Sequence, residues 1–348
     1  MWQTIGQDRI TGFLAESLAH GTLAHAYLFV GPAHVGKMTL ATDLAMALNC
    51  PSATPPCAGC RSCQRIQQGK HADIMVIDRY SGRDPKDRRK ATEIGIDAVR
   101  DLLQRSSNLP PYEGKRKVFI VDNADLLSVE AANCLLKTLE EPPPHVVIIL
   151  LTSDEKKLLS TVISRCQRFE LKPVPLATVE TKLAGGNGAS QEKIRLLARL
   201  SRGCLGWAML ANRDESYLKE REARLAGFIP LLTESWETRF AYIAHVSSDR
   251  NDITEMIEAW LSWLRDVLLL KYNCRESVIN IDHLHELTGW AGMLTVHEIK
   301  EFIDSLNRSL VYLASNANLH LLLEVLMIDM PKKDKRPDYS INTAGGGR

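Results

Sequence analysis

A glycine-rich loop between a short apolar run and a helical segment limits the fold of this chain more than any other part of the sequence. Residues 31–37 read GPAHVGK, which matches the pattern G-x-x-x-x-G-K, and the apolar run AYLFV comes directly before them. Glycines let backbone N–H groups close around phosphates, the start of a helix favours an anion, and the lysine reaches the outer phosphates. The sequence therefore predicts a phosphate-binding loop whose nucleotide-binding residues are Gly31, Gly36 and Lys37.

The rest of the first half also alternates between strand and helix. Short apolar runs predict buried strands at 26–30, 74–77, 118–121 and 146–151. Segment 38–48 has helical composition, and Ser128 is placed to cap a further helix that the prolines at 142–144 end. Apolar strands separated by helices indicate a parallel sheet that is covered on both faces. We therefore expect an α/β fold here.

Beyond residue 173 the strand signals stop, and the spacing of apolar residues becomes helical. Helices are expected at 192–200, 253–272, 296–314 and 319–328. The second of these is the most apolar, but charged residues interrupt it, so we expect a buried helix rather than a membrane span. Trp260, Leu264 and Val267 share one of its faces and are expected in the core.

The charge balance and the two ends of the chain bear on nucleic-acid binding, on the compartment and on disorder. The chain has 43 basic and 42 acidic residues, a formal charge of +1, which argues against a protein that holds nucleic acid mainly through bulk charge. The first ten residues carry no secretory pattern, so we expect a cytoplasmic protein. The basic segment 78–92 is expected to be an exposed loop, and residues 332–348 are expected to be a disordered tail.

Two positions next to the predicted nucleotide site lack the groups that act on a metal-bound phosphate. Met38 follows the loop lysine where a Ser or Thr would ligate Mg²⁺, and a thioether is a poor ligand for that ion. Thr39 is one residue late and points about 100° away on a helix. Asp122 ends a strand where a metal-binding aspartate belongs, but Asn123 follows it, and an amide cannot take a proton from water.

Four cysteines lie close together and predict a metal site. Cys50, Cys57, Cys60 and Cys63 have the spacing C-x6-C-x2-C-x2-C, which suits a closed tetrahedral Zn²⁺ site of structural type. Four thiolates can also hold a [4Fe–4S] cluster, while disulfides are disfavoured in a reducing compartment. His71 is expected to be a surface residue rather than a ligand. The remaining isolated cysteines, among them Cys134, Cys204 and Cys274, are expected to pack in the structure.

Residues 123–168 resemble the clamp-loader branch of the AAA+ ATPases, and more specifically clamp-loader subunits of bacterial DNA polymerase III. The most specific marks are LLKTLEEPP at 135–143 and the triplet Ser-Arg-Cys at 164–166. The resemblance extends upstream to residues 23–37, 50–63 and 109–122, and so covers about half the chain. It implies an α/β P-loop (AAA+ type) domain with a zinc-binding insertion, followed by a small helical lid and an all-α C-terminal domain.

The resemblance also implies a role for each departure from the family pattern. Met38 and Asn123 replace groups of the ATP-hydrolysing members, and Gly206 falls where those members have a sensor arginine. The resemblance thus favours a subunit that does not hydrolyse ATP itself. Arg165 is retained, and in the family this arginine faces the ATP of the neighbouring subunit, where it stabilises the transferring phosphoryl group.

The implied assembly follows from the same resemblance. The expected domains are 1–172 with the insertion at 50–63, a lid at 173–222, and a collar domain at 223–331 that joins a hetero-pentamer. The expected partners are gamma/tau-like ATPase subunits, a delta subunit, the sliding clamp and primer–template DNA, with no membrane. ATP and Mg²⁺ binding by this chain stays open.

Two alternatives to the non-hydrolysing subunit are weighed. In the first, the chain is an active gamma/tau-like ATPase in which Thr39 and Asp125 serve in place of the missing groups. In the second, it is a stand-alone DNA-binding protein that carries zinc.

Overall fold

The computed structural model describes residues 1–81, 92–186, 189–246, 249–315 and 317–333 of the chain. They form two compact units. Unit 1 comprises residues 1–179 and 203–207, and unit 2 comprises residues 180–202 and the described residues from Ala208 onward. The basic residues of the expected loop and nearly all of the expected tail lie outside the described residues. The boundaries expected at 172 and 222 stay predictions.

Within the described residues of unit 1, five parallel strands form one sheet. The strands are β1 (Ala26–Val30), β2 (Ile74–Ile77), β3 (Lys117–Val121), β4 (Val146–Thr152) and β5 (Gln167–Glu170). Their order is β2-β3-β4-β1-β5, which puts β1 between β4 and β5. Because all strands run the same way, the loops that follow β1, β3 and β4 meet at one edge of the sheet.

Helices cover both faces of the sheet. The helices of this unit are α1 (Asp8–His20), α2 (Lys37–Asn49), α3 (Arg61–Gln67), α4 (Ile96–Val99), α5 (Arg105–Ser107), α6 (Val129–Glu140) and α7 (Ser160–Ile163), with a π-helical turn at Arg100–Gln104. Alternate residues of β1 enter the two apolar cores: Tyr27 and Phe29 pack with α1 and α2, whereas Leu28 packs with α6. The Ser128 hydroxyl accepts a hydrogen bond from the Ala131 N–H at 3.1 Å, which confirms the expected cap of α6.

The strand predictions are confirmed at β1 and β2 with the expected bounds, and at β3 and β4 with one further residue each. The strand β5 was not predicted. Its residues alternate between partly buried and exposed, and it pairs only with β1 at the edge of the sheet. Such a strand lacks the continuous apolar run that marks a strand buried on both faces.

The helical region begins with α8 (Leu176–Ala184). It continues through α9 (Gln191–Leu200), α10 (Leu205–Arg213), α11 (Ser216–Phe228), α12 (Trp236–Ile243), α13 (Arg250–Lys271), α14 (Leu284–Met293), α15 (Val296–Ala314) and α16 (Leu319–Asp329). Helices α9, α13, α15 and α16 match the four expected segments to within three residues at each end. The described residues contain no helix that is long and apolar enough to span a membrane.

Aromatic side chains form the centre of unit 2 around α13. Trp260 stacks on Phe228 with ring centroids 4.8 Å apart, and Trp263 meets Trp290 edge to face at 6.1 Å. The expected core residues Trp260, Leu264 and Val267 are fully buried. Arg239 is also fully buried, and its guanidinium donates to the carbonyls of Leu231, Met327, Met330 and Pro331. It thereby joins α12 to the end of α16.

A histidine held between two carboxylates makes the stability of unit 2 sensitive to pH. The His283 ring nitrogens lie 3.1 Å from a Glu286 oxygen and 2.9 Å from a Glu222 oxygen. The hydrogen bond to Glu286, supported by Glu222 and opposed by burial, raises the pKa of His283 to about 9. A raised pKa stabilises the fold below the unfolded value of about 6.5, and this stabilisation is lost as the pH rises through 9.

We predict that His283→Gln lowers the free energy of unfolding by about 2 kcal/mol at pH 6, because the variant loses the attraction between the charged imidazole and its two carboxylates. The figure is smaller than the full pKa shift would give, because solvent weakens these partly exposed ion pairs. The deficit should shrink to near zero by pH 10. The measurement is urea denaturation of both proteins across this range, with His297→Gln at an exposed site as the control. A deficit that does not change with pH would contradict the role of the charged imidazole.

Candidate functional site

The predicted phosphate-binding loop lies at the carboxyl edge of the sheet, directly after β1. The Gly31 N–H donates to the Thr152 carbonyl of β4 at 3.1 Å, and a Cβ on Gly31 would lie 2.6 Å from the Leu171 carbonyl oxygen. Gly36 has a φ of +110°, a conformation that favours glycine, and it immediately precedes α2. Both glycines are therefore required by the backbone of the loop.

Lys37 is buried and its ammonium is bound within its own loop. The Lys37 Nζ donates to the Gly31 carbonyl at 2.5 Å and to the Pro32 carbonyl at 2.9 Å. Burial lowers the pKa of Lys37, and the carboxylates of Asp122 and Asp125 oppose that shift. The structure thus brings Lys37 and Asp122 together, as the sequence predicted for a nucleotide site.

The positions that depart from the ATPase pattern lie in the core next to the loop or on the surface. Met38 packs against the apolar core that contains α2, and Thr39 is exposed on the first turn of that helix. Burial raises the pKa of Asp122, and the Asn123 N–H and the Lys37 charge oppose that shift. Asn123 itself is exposed and has a left-handed φ of +53°.

Asp125 is engaged in a structural hydrogen bond. The Thr152 hydroxyl at the end of β4 donates to the Asp125 carboxylate at 2.8 Å, and it accepts from the Asp154 N–H at 3.1 Å. Thr152 is fully buried. This pair ties the end of β4 to the turn after β3, which is a sufficient reason for an aspartate at position 125.

A close backbone contact on the phosphate-binding loop was missed by the sequence reasoning. The Gly206 N–H donates to the His34 carbonyl at 3.0 Å, and His34 has a left-handed φ of +60°. A Cβ on Gly206 would lie 2.7 Å from that carbonyl oxygen, which is closer than real side chains approach. No sequence signal points to this contact, because the two residues are separated by more than 170 positions. The glycine is therefore needed for the start of α10 to lie against the loop.

Arg165 lies just after α7, where its described contacts are with α6 and α7. One terminal nitrogen of the guanidinium, Nη2, lies 2.7 Å from a Glu140 carboxylate oxygen, and the other, Nη1, donates to the Thr161 carbonyl at 3.0 Å. About a third of the side chain is exposed. Burial raises the pKa of the neighbouring Cys166 to about 12, so this thiol is a packed residue and no nucleophile.

The four clustered cysteines are brought together as the spacing predicts. Cys50 follows α2, the Cys60 sulfur caps α3 by accepting from the Cys63 N–H, and all four sulfurs lie within 4.8 Å of one another. Sulfurs around a tetrahedral ion at about 2.3 Å are about 3.8 Å apart, and the Cys50 and Cys60 sulfurs are 4.0 Å apart. In a [4Fe–4S] cluster, by contrast, each thiolate binds a different iron and lies farther from the others. The arrangement could hold one metal ion.

The electrostatics of the cluster differ from one thiol to the next. Hydrogen bonds from the Cys60 and Gly59 N–H groups lower the pKa of Cys57 to about 6. Burial raises the pKa of Cys63 to about 12. Backbone N–H groups that point at sulfur stabilise thiolates, which are the form that binds a metal.

The expectations for His71 and Cys274 were wrong. His71 is buried rather than on the surface, because its ring lies 3.2 Å from the Ser62 hydroxyl and accepts from the Asp73 N–H at 3.2 Å. It does not belong to the group of side chains that could hold a metal. Cys274 is exposed rather than packed, because it lies in the turn after α13, whereas Cys134 and Cys204 are partly buried.

Comparisons with known proteins relate the chain to subunits of one enzyme complex. The family model described as "DNA polymerase III, delta subunit" matches residues 6–175. DNA polymerase III subunit delta′ of Bacillus subtilis is 27% identical over 327 residues, which cover 92% of this chain and 95% of that protein. DNA polymerase III subunit tau of Escherichia coli is 36% identical over 210 residues, which cover 58% of this chain and 30% of that protein. The chain thus spans nearly all of the first relative and under a third of the second.

Solved structures show weaker likeness. A DNA polymerase III gamma subunit-related protein from Thermotoga maritima aligns over 90% of this chain and 97% of its own, at 18% identity and a TM-score of 0.45. The DNA clamp loader delta protein of Bacillus subtilis aligns over 91% and 98%, at 14% identity and a TM-score of 0.33.

The cysteine cluster predicts about one tightly bound metal ion per chain. Cys57→Ser should abolish metal binding and lower the melting temperature, because an incomplete set of thiolates leaves the segment between α2 and α3 without its crosslink. Elemental analysis and thermal denaturation measure both effects. Cys274→Ser, at an exposed thiol, is the matched control and should change neither. Metal-free native protein with normal stability would contradict the site.

Proposed function

The chain belongs to the clamp-loader family of DNA polymerase III subunits, and from this premise we propose that it is a subunit of delta-prime type. In this role it works in the cytoplasm in a hetero-pentamer with gamma/tau-like ATPases and a delta subunit. The complex opens a sliding clamp and loads it on primed DNA. Similarity to the Bacillus subtilis delta′ subunit over nearly the full length of both proteins supports the choice of subunit.

The contact between Gly206 and the phosphate-binding loop carries the proposal that this chain does not hydrolyse ATP. The backbone at Gly206 lies so close to the His34 carbonyl that no side chain fits there without a shift of the loop. A sensor arginine, which would stabilise charge on the phosphoryl group, thus has no place at this position. The contact is between backbone atoms, so replacing Gly206 by arginine would not restore a sensor group unless the loop also moved.

Two further positions support the same proposal. Met38 offers no oxygen for Mg²⁺ and packs into the core, and Asn123 offers no base for water. Asp125, a nearby carboxylate that could replace it, accepts a hydrogen bond from Thr152. The proposal concerns turnover; binding of ATP with Mg²⁺ through Gly31, Gly36 and Lys37 is compatible with it.

Arg165 is proposed to act as an arginine finger on the ATP of a neighbouring subunit. Its guanidinium is partly exposed and is held in place by the Thr161 carbonyl, while its second contact is a half-exposed carboxylate, that of Glu140. A phosphate oxygen can take the place of that carboxylate at little cost, because a solvent-exposed ion pair is weak. The Arg165 guanidinium is therefore held in position by its own chain and is accessible to the ATP of a neighbouring subunit.

Helices α15 and α16 carry the proposed contact with other subunits. Leu321, Val325 and Ile328 lie on one face of α16 and are each about half exposed, and Val311 and Tyr312 of α15 are exposed as well. A groove of about 210 Å³ runs between the two helices. Contiguous apolar exposure of this kind marks an interaction surface, here the proposed collar of the pentamer.

Zinc is proposed as the metal of the cysteine cluster. Four thiolates within reach of a single ion are the donor set of a structural zinc site, and all four positions are filled by protein. The ion would hold the segment between α2 and α3 in place and would take no part in ATP turnover.

The arginine-finger proposal predicts the outcome of Arg165→Ala in the reconstituted complex. An arginine finger contributes roughly 10³-fold to turnover, so the neighbouring ATPase site should become nearly silent. The total clamp-stimulated ATPase rate of the complex should fall by at least the fraction that this one site contributes. Arg168→Ala removes a nearby arginine that pairs with Glu155 and is the matched control. Normal assembly with an unchanged rate for Arg165→Ala would contradict the role.

A further inference from the structure

The loop at residues 109–116 is exposed and yet held rigidly by two buried polar side chains. The Asp73 carboxylate accepts hydrogen bonds of 2.6–2.8 Å from the N–H groups of residues 112–114. The Asn49 side-chain oxygen accepts from the N–H groups of residues 115 and 116 at 2.8 and 3.0 Å. Five consecutive backbone donors are thus fixed from beneath. The loop keeps one conformation while its side chains face solvent.

This rigid loop presents an aromatic ring to solvent. Tyr112 is 87% exposed and Leu109 is 60% exposed, whereas the backbone of Tyr112 is held by Asp73. A tyrosine on a fixed backbone loses little entropy when its ring contacts a partner. Nothing described in the fold requires a large side chain at position 112, because the bond to Asp73 uses only the backbone. The ring is available for a contact outside the chain.

The segment that contacts this loop is basic. Residues 50–72, which hold the metal-binding cysteines, contain three basic residues and no acidic residue. Arg65 lies 3.2 Å from Glu113, and this contact joins the cysteine segment and the loop into one surface. We define the Tyr112 surface by its ring and its basic residues, which are Arg61, Arg65, Lys70, Lys115 and Arg116. Against them stands one exposed acidic residue, Glu113.

The excess of positive charge remains when the metal site is included. Glu113 and the buried carboxylate of Asp73 reduce the charge of the five basic residues to +3, and a divalent ion with four thiolates, which would have a formal charge of −2, leaves +1.

We propose that the Tyr112 surface binds single-stranded nucleic acid, with a base stacked on Tyr112 and phosphates near the basic side chains. Surfaces that bind single strands without sequence preference combine an aromatic platform with cations along the backbone path. Protein–protein interfaces are instead depleted of lysine relative to the rest of the surface, whereas this surface includes Lys70 and Lys115. The inference concerns this chain alone and goes beyond its proposed place in a clamp loader.

The test uses the full-length, metal-loaded chain without other subunits and a fluorescent oligo(dT) of about 16 nucleotides. Fluorescence anisotropy should show binding at about 50 mM salt that weakens steeply by about 200 mM. Tyr112→Ala should weaken binding roughly tenfold through loss of stacking. Tyr272→Ala, at a 59% exposed tyrosine of unit 2, is the matched control and should have no effect.

A second variant separates charge from stacking. Arg61→Gln combined with Lys70→Gln should reduce the slope of log K against log salt by about 1.4, since each phosphate contact contributes about 0.7 for single strands. Absence of binding at low salt, or equal affinity of wild type and Tyr112→Ala, overturns the proposal. Equally tight binding of poly-glutamate overturns it as well, because the surface would then fit an acidic protein segment.

Discussion

The insertion of β1 between β4 and β5 determines the geometry of the whole nucleotide site. All strands are parallel, so the loop after β1, Asp122 after β3 and Thr152 at the end of β4 meet at one edge of the sheet. The Gly31 N–H bonds to the Thr152 carbonyl and ties the loop to the neighbouring strand. At the same edge the Thr152 hydroxyl donates a hydrogen bond to the Asp125 carboxylate. Residues near the loop therefore contribute to the structure of this edge.

The contact of Gly206 with His34 places the first residues of α10 against the phosphate-binding loop and leaves no room there for a side chain. The strand-to-helix turn requires Gly31 and Gly36, and the Lys37 ammonium donates to two carbonyls of the same loop. At the positions where the resembled ATPases have groups for the γ-phosphate or its metal, Met38 packs into the core, Asn123 is exposed and the backbone of Gly206 lies against the loop. The proposed role of Arg165 at a neighbouring site does not require ATP turnover at the loop of this chain.

Much of the fold could be predicted because buried parallel strands are continuous apolar runs, and amphipathic helices such as α15 show their period directly. The cysteine cluster was predictable because its four ligands lie within fourteen residues. The edge strand β5 was missed because half of its residues face solvent. The contact of Gly206 with His34 depends on packing between distant segments, and His71 is buried through contacts with Ser62 and Asp73 that no periodic pattern encodes. The proposed role of Arg165 depends on a partner subunit, so the sequence of one chain does not determine it.

The most direct test of this account is steady-state ATP hydrolysis by the purified chain alone, compared with the Lys37→Ala variant. Without a metal-binding hydroxyl, a base or a sensor arginine, the chain should show no turnover above background, and the variant should give the same value. The contrary result is robust hydrolysis that Lys37→Ala abolishes. That result would show that Thr39, Asp125 or other groups restore a working site, and that the contact at Gly206 does not silence the loop.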